Sequence, residues 1–197
     1  MIAIITARRG SKRSPNKNIM PFNDEDHIVK RAITKALSLF LPEDIILTTD
    51  YAKTVVLGYG DAPCVYHARP DSLCTAEAKS VDVVEDVLCY VKKVLDMKPE
   101  SFVLMQPTSP CLAFDTLARA KARFDKGDIP ALVSVNPAYQ VNGSFYFCKT
   151  DVFLKEKTFF PKGCHFWVCS WEESVDINYF YDFRIAEAVA RGDVHGA

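Results

Sequence analysis

The stretch from residue 2 to residue 18 constrains the fold more than any other part of the chain. It begins with four consecutive apolar residues, Ile2-Ala3-Ile4-Ile5, a run typical of a strand that is buried on both faces. The chain then becomes polar and carries five cations within ten residues: Arg8, Arg9, Lys12, Arg13 and Lys17. Cations this close together repel one another unless a bound anion or solvent offsets the repulsion.

The other residues of this loop also favour an anion ligand. Gly10 and Ser11 offer backbone N–H groups and a hydroxyl, and Pro15 stiffens the exit of the loop. Backbone amides and side-chain charges that converge after a buried strand can bind phosphate together. The alternative is a solvated turn that is basic by chance, but such a turn has no need to follow a wholly apolar strand so abruptly. The sequence therefore predicts a phosphate-binding loop.

Length and composition limit the class of protein. A chain of 197 residues predicts a single domain over residues 1–197, and a net charge of −1 favours a small anionic ligand over nucleic acid or an anionic membrane. No run approaches the ~20 apolar residues of a membrane span, and no charged leader precedes the first strand. Seven dispersed cysteines without a Cys-x-x-Cys motif indicate reduced thiols. We therefore expect a cytoplasmic protein.

Beyond the first strand, short apolar runs alternate with segments of helical periodicity. Strands are predicted over residues 44–50, 64–67, 102–105 and 131–135, and helices over residues 27–40, 80–95, 115–124 and 181–190. A short helix before Gly58-Tyr59-Gly60, a helix from Asp151, and aromatic-rich strands over residues 143–148 and 165–170 are further predictions. This alternation indicates a three-layer α/β/α fold with a mostly parallel sheet.

Polar residues follow several of the predicted strands. Because ligands of open parallel sheets bind at the carboxyl ends of the strands, these residues are expected to face one crevice. They are the loop after Thr6, the segment Thr48-Thr49-Asp50, Arg69, residues 106–110 and Asn136. For Asp50 itself we favour a different interpretation, in which its carboxylate caps the helix that follows.

The basic loop resembles the signature of the sugar-activating cytidylyltransferases, A-R-x-x-S-K-x-x-P-x-K-N-[IL]. Residues 7–19 match it as ARRGSKRSPNKNI. The other matching segments, in the same order along nearly the whole chain, are Thr49-Asp50, Arg69-Pro70, Ser80, QPTSP at residues 106–110, NGSFY at residues 142–146 and SVDI at residues 174–177. The QPTSP and NG-x-x-Y segments are most similar to the N-acylneuraminate branch.

The resemblance implies a Rossmann-like fold of the nucleotide-diphospho-sugar transferase type. It implies transfer of CMP from CTP to the anomeric hydroxyl of an acidic sugar (sialic acid or a related nonulosonate) with release of pyrophosphate. It also implies Mg²⁺ as cofactor. The matching catalytic positions are Arg8, Lys12 and Lys17, and the nucleotide-binding positions are Ala7, Arg8, Gly10, Ser11, Lys12, Lys17, Asn18, Arg69 and Ser80. The positions that match the sugar-binding side of the family's site are Gln106, Tyr146, Phe159 and Phe160. The positions that match its metal site are Asp176 and Asn178.

Plainer interpretations stay open for the sugar side. Gln106 can serve only to satisfy backbone groups in its own turn, and Tyr146, Phe159 and Phe160 can be ordinary core aromatics. Two features also depart from the family pattern. Asn178 stands where relatives carry the second metal carboxylate, and a neutral oxygen is a weaker Mg²⁺ ligand. Residues 136–141 stand where relatives carry a few dozen residues, including basic groups for the sugar carboxylate and part of the subunit contact.

These departures leave alternatives for the function. The short segment at residues 136–141 leaves open which sugar is the acceptor and whether the chain forms the homodimer that the resemblance implies. Cytidylyl transfer to another acceptor, such as an octulosonate or a phosphonate, is one alternative. A nucleotide-binding homologue with little or no turnover is the other, because Asn178 weakens the expected metal site.

Overall fold

The apolar run at the start of the chain lies in the middle of a seven-stranded sheet. In the computed structural model, which describes residues 1–10, 13–23, 27–58 and 63–193, strand β1 (Ile2–Ala7) lies between β2 (Ile45–Thr49) and β4 (Ser101–Met105), parallel to both. The other strands are β3 (Val65–Ala68), β5 (Ala131–Val135), β6 (Val141–Lys149) and β7 (His165–Val168). The strand order is β3-β2-β1-β4-β6-β5-β7.

Among the described strands, only β6 runs antiparallel to its neighbours, β4 and β5. A short turn explains this, because the backbone N–H of Asn136 donates to the carbonyl of Gln140 at 2.8 Å and so closes a hairpin between β5 and β6. A hairpin can connect only antiparallel strands. The remaining pairs are parallel, which confirms the predicted mostly parallel sheet.

Helices cover both faces of the sheet, as the three-layer prediction requires. One face packs against α1 (Ile28–Leu37), α2 (Lys53–Leu57) and α4 (Phe114–Phe124), and the other packs against α3 (Ser80–Lys93) and α5 (Thr150–Glu156). Side chains of β1 alternate between these two cores, with Ala3 and Ile5 on the α1 side and Ile2 and Ile4 on the α3 side. Burial on both faces therefore explains the unbroken apolar run.

The predicted elements match the observed ones in type and differ at their ends. The predicted strand at residues 131–135 has the bounds of β5, whereas the helix predicted over residues 27–40 ends at Leu37. Gly58 ends α2 in a positive-φ conformation (φ 75°), which suits a glycine; Tyr59 and Gly60 lie outside the described residues. No helix in the described part of the chain is long and apolar enough to cross a membrane.

A third apolar cluster attaches the last helix, α6 (Phe180–Arg191), to the rest of the fold. Phe183 packs edge-on against Phe22 with ring centroids 5.6 Å apart, and Ile28, Ile177 and Ala186 belong to the same cluster. Phe22 follows the basic loop in sequence, and Ile177 precedes the helix. The cluster therefore holds the two ends of the chain together beside the carboxyl edge of the sheet.

We expect Phe183→Ala to lower the free energy of unfolding by about 3–5 kcal/mol, because a buried phenylalanine is replaced by a cavity. Urea denaturation followed by circular dichroism measures the change. Tyr181→Ala is the matched control, since Tyr181 lies on the same helix but is 74% exposed, and it should change the value by less than about 0.5 kcal/mol. Equal losses in the two variants would contradict the proposed anchoring role of Phe183.

Candidate active site

A crevice of about 600 Å³ lies at the carboxyl ends of β1, β3 and β4. Its volume is within the range of roughly 300–1,000 Å³ that is usual for small-molecule sites. Eight of the residues predicted from the sequence line it: Arg8, Lys17, Asn18, Arg69, Ser80, Gln106, Asp176 and Asn178. The crevice thus brings together groups that are up to 170 residues apart in the sequence (178 minus 8). Among them, Arg8, Arg69 and Gln106 follow the ends of β1, β3 and β4, as the strand-end rule predicts.

The other predicted residues either are not described by the structure or do not line this crevice. Ser11 and Lys12 are outside the described residues. Ala7 is buried at the end of β1, and Gly10 is exposed, with the carbonyl oxygen of Cys74 3.8 Å from where its Cβ would be. Asn136 was expected in the crevice but lies in the β5–β6 turn, where its side-chain oxygen accepts from two backbone amides of that turn. Its role is therefore to shape the hairpin.

Asp50 holds the basic loop. Its Oδ1 accepts a hydrogen bond of 2.7 Å from the backbone N–H of Arg9. The interpretation of Asp50 as a helix cap was wrong, because the N-cap of α2 is Ala52 and makes no side-chain capping bond. Strands β1 and β2 are in register at Ala7 and Thr49, so the residue after β2 is placed beside the loop that follows β1.

Asn18 presents a buried polar group to the crevice. Asn16 adopts the left-handed conformation (φ 58°), which asparagine tolerates better than most residues, and a 3₁₀ turn over Lys17–Ile19 follows. The side-chain amide of Asn18 donates to the carbonyl of Arg8 at 2.9 Å, whereas its Oδ1 is buried without a hydrogen-bond partner among the described residues. A buried acceptor without a partner is costly, so a ligand N–H or O–H at this position would be stabilising.

Arg69 is a buried cation at the end of β3. Its Nη2 donates to the carbonyl of Thr48 at 2.9 Å, and its Nε has no partner in the described structure. Burial lowers the pKa of Arg69, with nearby Cys74 and Asp50 acting in the opposite direction. The guanidinium is therefore fixed by the sheet and keeps an unused donor, which makes it suited to an anionic or polar ligand.

Lys17 connects the basic loop to the segment before α6. Its Nζ donates to the carbonyl of Ile177, and the N–H of Ile177 donates to the carbonyl of Thr108 at 2.8 Å. Burial lowers the pKa of Lys17, and the cations Arg13 and Arg8 add to this, while Asp176 opposes it. These bonds hold the segment of Asp176 beside the basic loop, and Asp176 lines the same crevice as the cations.

The carboxylate of Asp176 is the candidate metal ligand. Its Oδ2 accepts a hydrogen bond of 2.6 Å from the side-chain amide of Asn178. The Oδ2 of the nearby Asp182 already caps α6, because it accepts from the backbone amides of Asn178 and Tyr179 at 2.9 and 2.7 Å. In the described part of the chain no group of three His, Cys, Asp or Glu residues could hold a metal. The donor set therefore fits a hard cation that keeps water and ligand oxygens in its coordination shell.

Gln106 and Tyr146 meet at Gly143 on β6. Gly143 has φ 79°, and a Cβ there would lie 2.8 Å from Oε1 of Gln106 and 4.0 Å from the Tyr146 hydroxyl. Glycine is thus required both by its conformation and by the close approach of Gln106. No hydrogen bond joins the Gln106 side chain to another described residue, so the interpretation that it only satisfies its own turn has no support. Burial raises the pKa of Tyr146, and Asp176 adds to the effect.

The two phenylalanines predicted on the sugar side differ in environment. Phe159 belongs to the core on the α3 side, with its ring centroid 5.0 Å from Tyr146 and 5.2 Å from Phe153. Phe160 is 46% exposed and lies edge-on to Tyr146 at 6.3 Å. Neither ring lines the crevice as the structure has it. For Phe159 the core interpretation agrees with its burial, since its partners are apolar and tightly packed.

The structure also adds residues that the sequence reasoning did not assign. Arg13 lines the crevice, as do Thr75, Ala76 and Ala78 from the segment before α3. The guanidinium of Arg8 donates to the carbonyl of Thr75 at 2.5 Å, which joins this segment to the basic loop. Arg13 is part of the cationic run and was detectable from it, whereas the segment at residues 75–78 has no pattern that indicates a site.

Comparison with known proteins assigns this chain to a family. The family model described as "Cytidylyltransferase" matches residues 2–142, which contain the basic loop, Arg69, Ser80 and Gln106. The chain belongs to the cytidylyltransferase family. This membership confirms the resemblance inferred from the basic loop.

Relatives and solved structures agree with this assignment. The chain is 25% identical to the CMP-N,N'-diacetyllegionaminic acid synthase of Legionella pneumophila, over 95% of this chain and 94% of that protein. It is 26% identical to the N-acylneuraminate cytidylyltransferase of Escherichia coli, over 94% of this chain, and spans about half (51%) of that longer protein. The CMP:2-keto-3-deoxy-manno-octonic acid synthetase, solved in complex with CTP, has a TM-score of 0.71 at 12% identity, with 98% of this chain and 99% of that chain covered. This last likeness supports the predicted nucleotide-diphospho-sugar transferase fold.

Proposed function

We propose that this cytidylyltransferase transfers CMP from CTP to the anomeric hydroxyl of an acidic sugar of the sialic acid or nonulosonate class and releases pyrophosphate. The observation that supports this most is the convergence of Arg8, Lys17 and Arg69 with the carboxylate of Asp176 around one crevice. A cationic site with a single carboxylate suits a nucleoside triphosphate and its metal ion. The names of the Legionella and Escherichia relatives support the choice of acceptor class.

In this proposal, the buried end of the crevice binds the nucleoside. The unpartnered Oδ1 of Asn18 accepts from the cytosine amino group or a ribose hydroxyl, and the unused Nε of Arg69 donates to the same part of the ligand. Both groups are already desolvated, at 5% and 8% exposure, so a ligand that pairs with them recovers bonds that the free protein lacks. Ser80 at the start of α3 adds a hydroxyl on this side.

The cations carry out the electrostatic part of the reaction. The sugar hydroxyl oxygen forms a bond to the α-phosphorus and gives up its proton to a phosphate oxygen or to water. The bond from that phosphorus to the bridging oxygen breaks, and pyrophosphate leaves. Negative charge on the phosphate oxygens is met by Arg8 and Lys17, which are held in place by the Thr75 and Ile177 carbonyls before the ligand arrives. We place Lys12 in the same role because its position in the sequence is within this cationic run.

Asp176, with the side-chain oxygen of Asn178, would hold a divalent cation, which is Mg²⁺ in our proposal. Such an ion would neutralise charge on the phosphates when bound. Because the protein offers one carboxylate and one amide, most of the coordination shell must come from phosphate oxygens and water. We therefore propose that the metal binds with the nucleotide.

We propose a cytoplasmic location, which is supported by seven cysteines that are all free thiols. Gln106 and Tyr146 are the proposed contacts to the acceptor, and Phe160 borders them. We do not include a homodimer in the proposal. The hairpin at residues 136–140 is short, and it stands where relatives carry part of their subunit contact.

The function is tested by pyrophosphate release from CTP in the presence of Mg²⁺ and a panel of acidic sugars. We expect release with one sialic, legionaminic or pseudaminic acid, and much less with ATP, GTP or UTP. Release of pyrophosphate only with an octulosonate or a phosphonate would contradict the proposed nonulosonate acceptor and support one of these alternative acceptors. If calorimetry shows CTP binding but none of the acceptors gives product, the chain is a nucleotide-binding homologue.

We expect Lys17→Ala to weaken CTP binding about tenfold or more, because a charge-assisted contact to phosphate is lost. The free energy of unfolding should change by only about 1 kcal/mol. The lost bond to the Ile177 carbonyl is partly offset by removing a charge that burial disfavours, as the lowered pKa of Lys17 indicates. Calorimetry and urea denaturation measure the two quantities. Lys93→Ala on α3 is the control, and a large loss of stability in Lys17→Ala alone would make Lys17 structural.

We expect Asn178→Asp to let the protein bind Mn²⁺ or Mg²⁺ without nucleotide, because a second carboxylate would replace the amide that now donates to Asp176. Titration of Mn²⁺ followed by electron paramagnetic resonance measures the free ion directly and does not depend on turnover. The wild type should show weak binding that strengthens when CTP is added. Tight binding by the wild type without nucleotide would show that the site has ligands beyond Asp176 and Asn178.

A further inference from the structure

The turn that follows β4 is attached to the rest of the fold through its carbonyl groups. Pro107 and Pro110 have no backbone N–H, so two of the five residues from 106 to 110 cannot donate a backbone hydrogen bond. The N–H of Ser109 donates to the carbonyl of Gln106 at 3.2 Å, and this bond closes the turn. The position of the turn therefore depends on donors that other elements bring to its carbonyls.

Two elements supply such donors. The carbonyl of Thr108 accepts from the N–H of Ile177 at 2.8 Å, which attaches the turn to the segment before α6. The carbonyl of Pro110 accepts from two side chains of α1, the Nε of Arg31 at 3.1 Å and the Nζ of Lys35 at 3.4 Å. Two cations that share one carbonyl repel each other, so charge balance alone does not explain the presence of the lysine.

Lys35 lines a cavity of about 10 Å³ between α1 and the turn. In the described part of the chain no carboxylate forms an ion pair with its ammonium, which donates to Pro110. Burial lowers the pKa of Lys35 to about 8, and Arg31 adds to this, while Cys111 and Glu173 oppose it. The ammonium is therefore charged below this pH and neutral above it. Since a charge-assisted hydrogen bond is roughly twice as strong as a neutral one, the attachment of the turn depends on pH.

The same turn forms a wall of the crevice. Gln106 and Pro107 line both the crevice and the small cavity, so the turn separates the two. Gln106 has little room to move, because its Oε1 lies 2.8 Å from where a Cβ of Gly143 would be. The fixed φ angles of the two prolines stiffen the path from Pro110 to Gln106. A shift of Pro110 relative to α1 would therefore be passed on to the Gln106 side chain.

We propose that Lys35 is a positioning residue for the acceptor: together with Arg31 it holds the carbonyl of Pro110 and thereby fixes Gln106 at the crevice. This inference rests on the proposed function, in which Gln106 contacts the acidic sugar. It gives α1 a part in acceptor binding, although Lys35 itself does not line the crevice. The bond between Thr108 and Ile177 does not involve α1, so the inference separates the acceptor from the nucleotide.

Pyrophosphate release at saturating CTP measures the KM for the acidic sugar of the panel that gives the highest rate. We expect Lys35→Met, which keeps the length of the side chain and removes its charge, to raise this KM about threefold to tenfold near neutral pH. The calorimetric affinity for CTP should stay within about twofold. Lys35→Arg, which keeps a cation, should restore most of the loss.

Lys121→Met is the matched control. Lys121 is half-buried like Lys35, and its Nζ lies 5.6 Å from the centre of the Phe40 ring. It lines neither the crevice nor the small cavity, so its replacement should leave the KM for the sugar unchanged.

The pH profile separates a positioning role from a purely structural one. In the wild type, the KM for the sugar should rise as the pH increases through about 8, because Lys35 loses its proton and its bond to Pro110 weakens. The rise should be smaller in Lys35→Met, which has no charge to lose, and in Lys35→Arg, whose guanidinium stays protonated. Titration of Lys17 is common to all three proteins, so it does not account for a difference between them. The comparison of wild type with Lys35→Arg tests the inference even if Lys35→Met does not fold.

The outcomes distinguish this inference from the function. No pyrophosphate release by the wild type with any sugar of the panel would overturn both. Release by the wild type with the same KM for the sugar in Lys35→Met would overturn only the role of Lys35. Equal losses for CTP and the sugar in Lys35→Met, or an equal loss in Lys121→Met, would indicate a general effect on the fold and contradict the positioning role. A rise of KM with pH that is the same in all three proteins would assign the titration to another group and also contradict it.

Discussion

The hydrogen bond from the Lys17 ammonium to the carbonyl of Ile177 is the contact on which the crevice depends. It joins a loop at the start of the chain to a segment 160 residues later, and it does so with a partly buried charge. A buried ammonium is stable only when dipoles or charges compensate for lost hydration, and here one carbonyl and the neighbouring Asp176 do so. Together with the bond from the Ser14 hydroxyl to the carbonyl of Asn178, it ties the segment that carries the candidate metal ligand to the basic loop.

The remaining polar groups are fixed in a similar way, by backbone atoms. Asp50 accepts from the Arg9 amide, Asn18 donates to the Arg8 carbonyl, and Arg69 donates to the Thr48 carbonyl. Since the sheet holds these backbone atoms in place, the side chains are oriented before a ligand binds. Charges that are placed in advance stabilise a developing negative charge without a further cost of reorganisation. This arrangement brings cations close together, so they repel one another. A bound triphosphate with its metal ion would offset that repulsion.

The sequence predicted the features that depend on local pattern and on one general rule. Burial on both faces makes β1 apolar throughout, and the strand-end rule then places Arg8, Arg69 and Gln106 in one crevice. Features that depend on long-range packing were not predictable in the same way. The register of β1 with β2 decides that Asp50 meets Arg9 and does not cap α2. The guanidinium carbon of Arg13 lies 5.3 Å from the centre of the Tyr179 ring because of the docking of α6, for which the loop sequence holds no signal.

The crevice and the neighbouring groups around Gly143 differ in charge. In the crevice, Arg8, Lys17 and Arg69 are cations that each donate to a backbone carbonyl. Around Gly143 the groups are the neutral side chains of Gln106, which lines the crevice, and Tyr146, which does not. A sugar carboxylate placed there must be met by cations that reach across from the phosphate side, or by neutral donors alone. Neutral hydrogen bonds are roughly half as strong as charge-assisted ones, so under the proposed function discrimination among acidic acceptors would depend mainly on their shape.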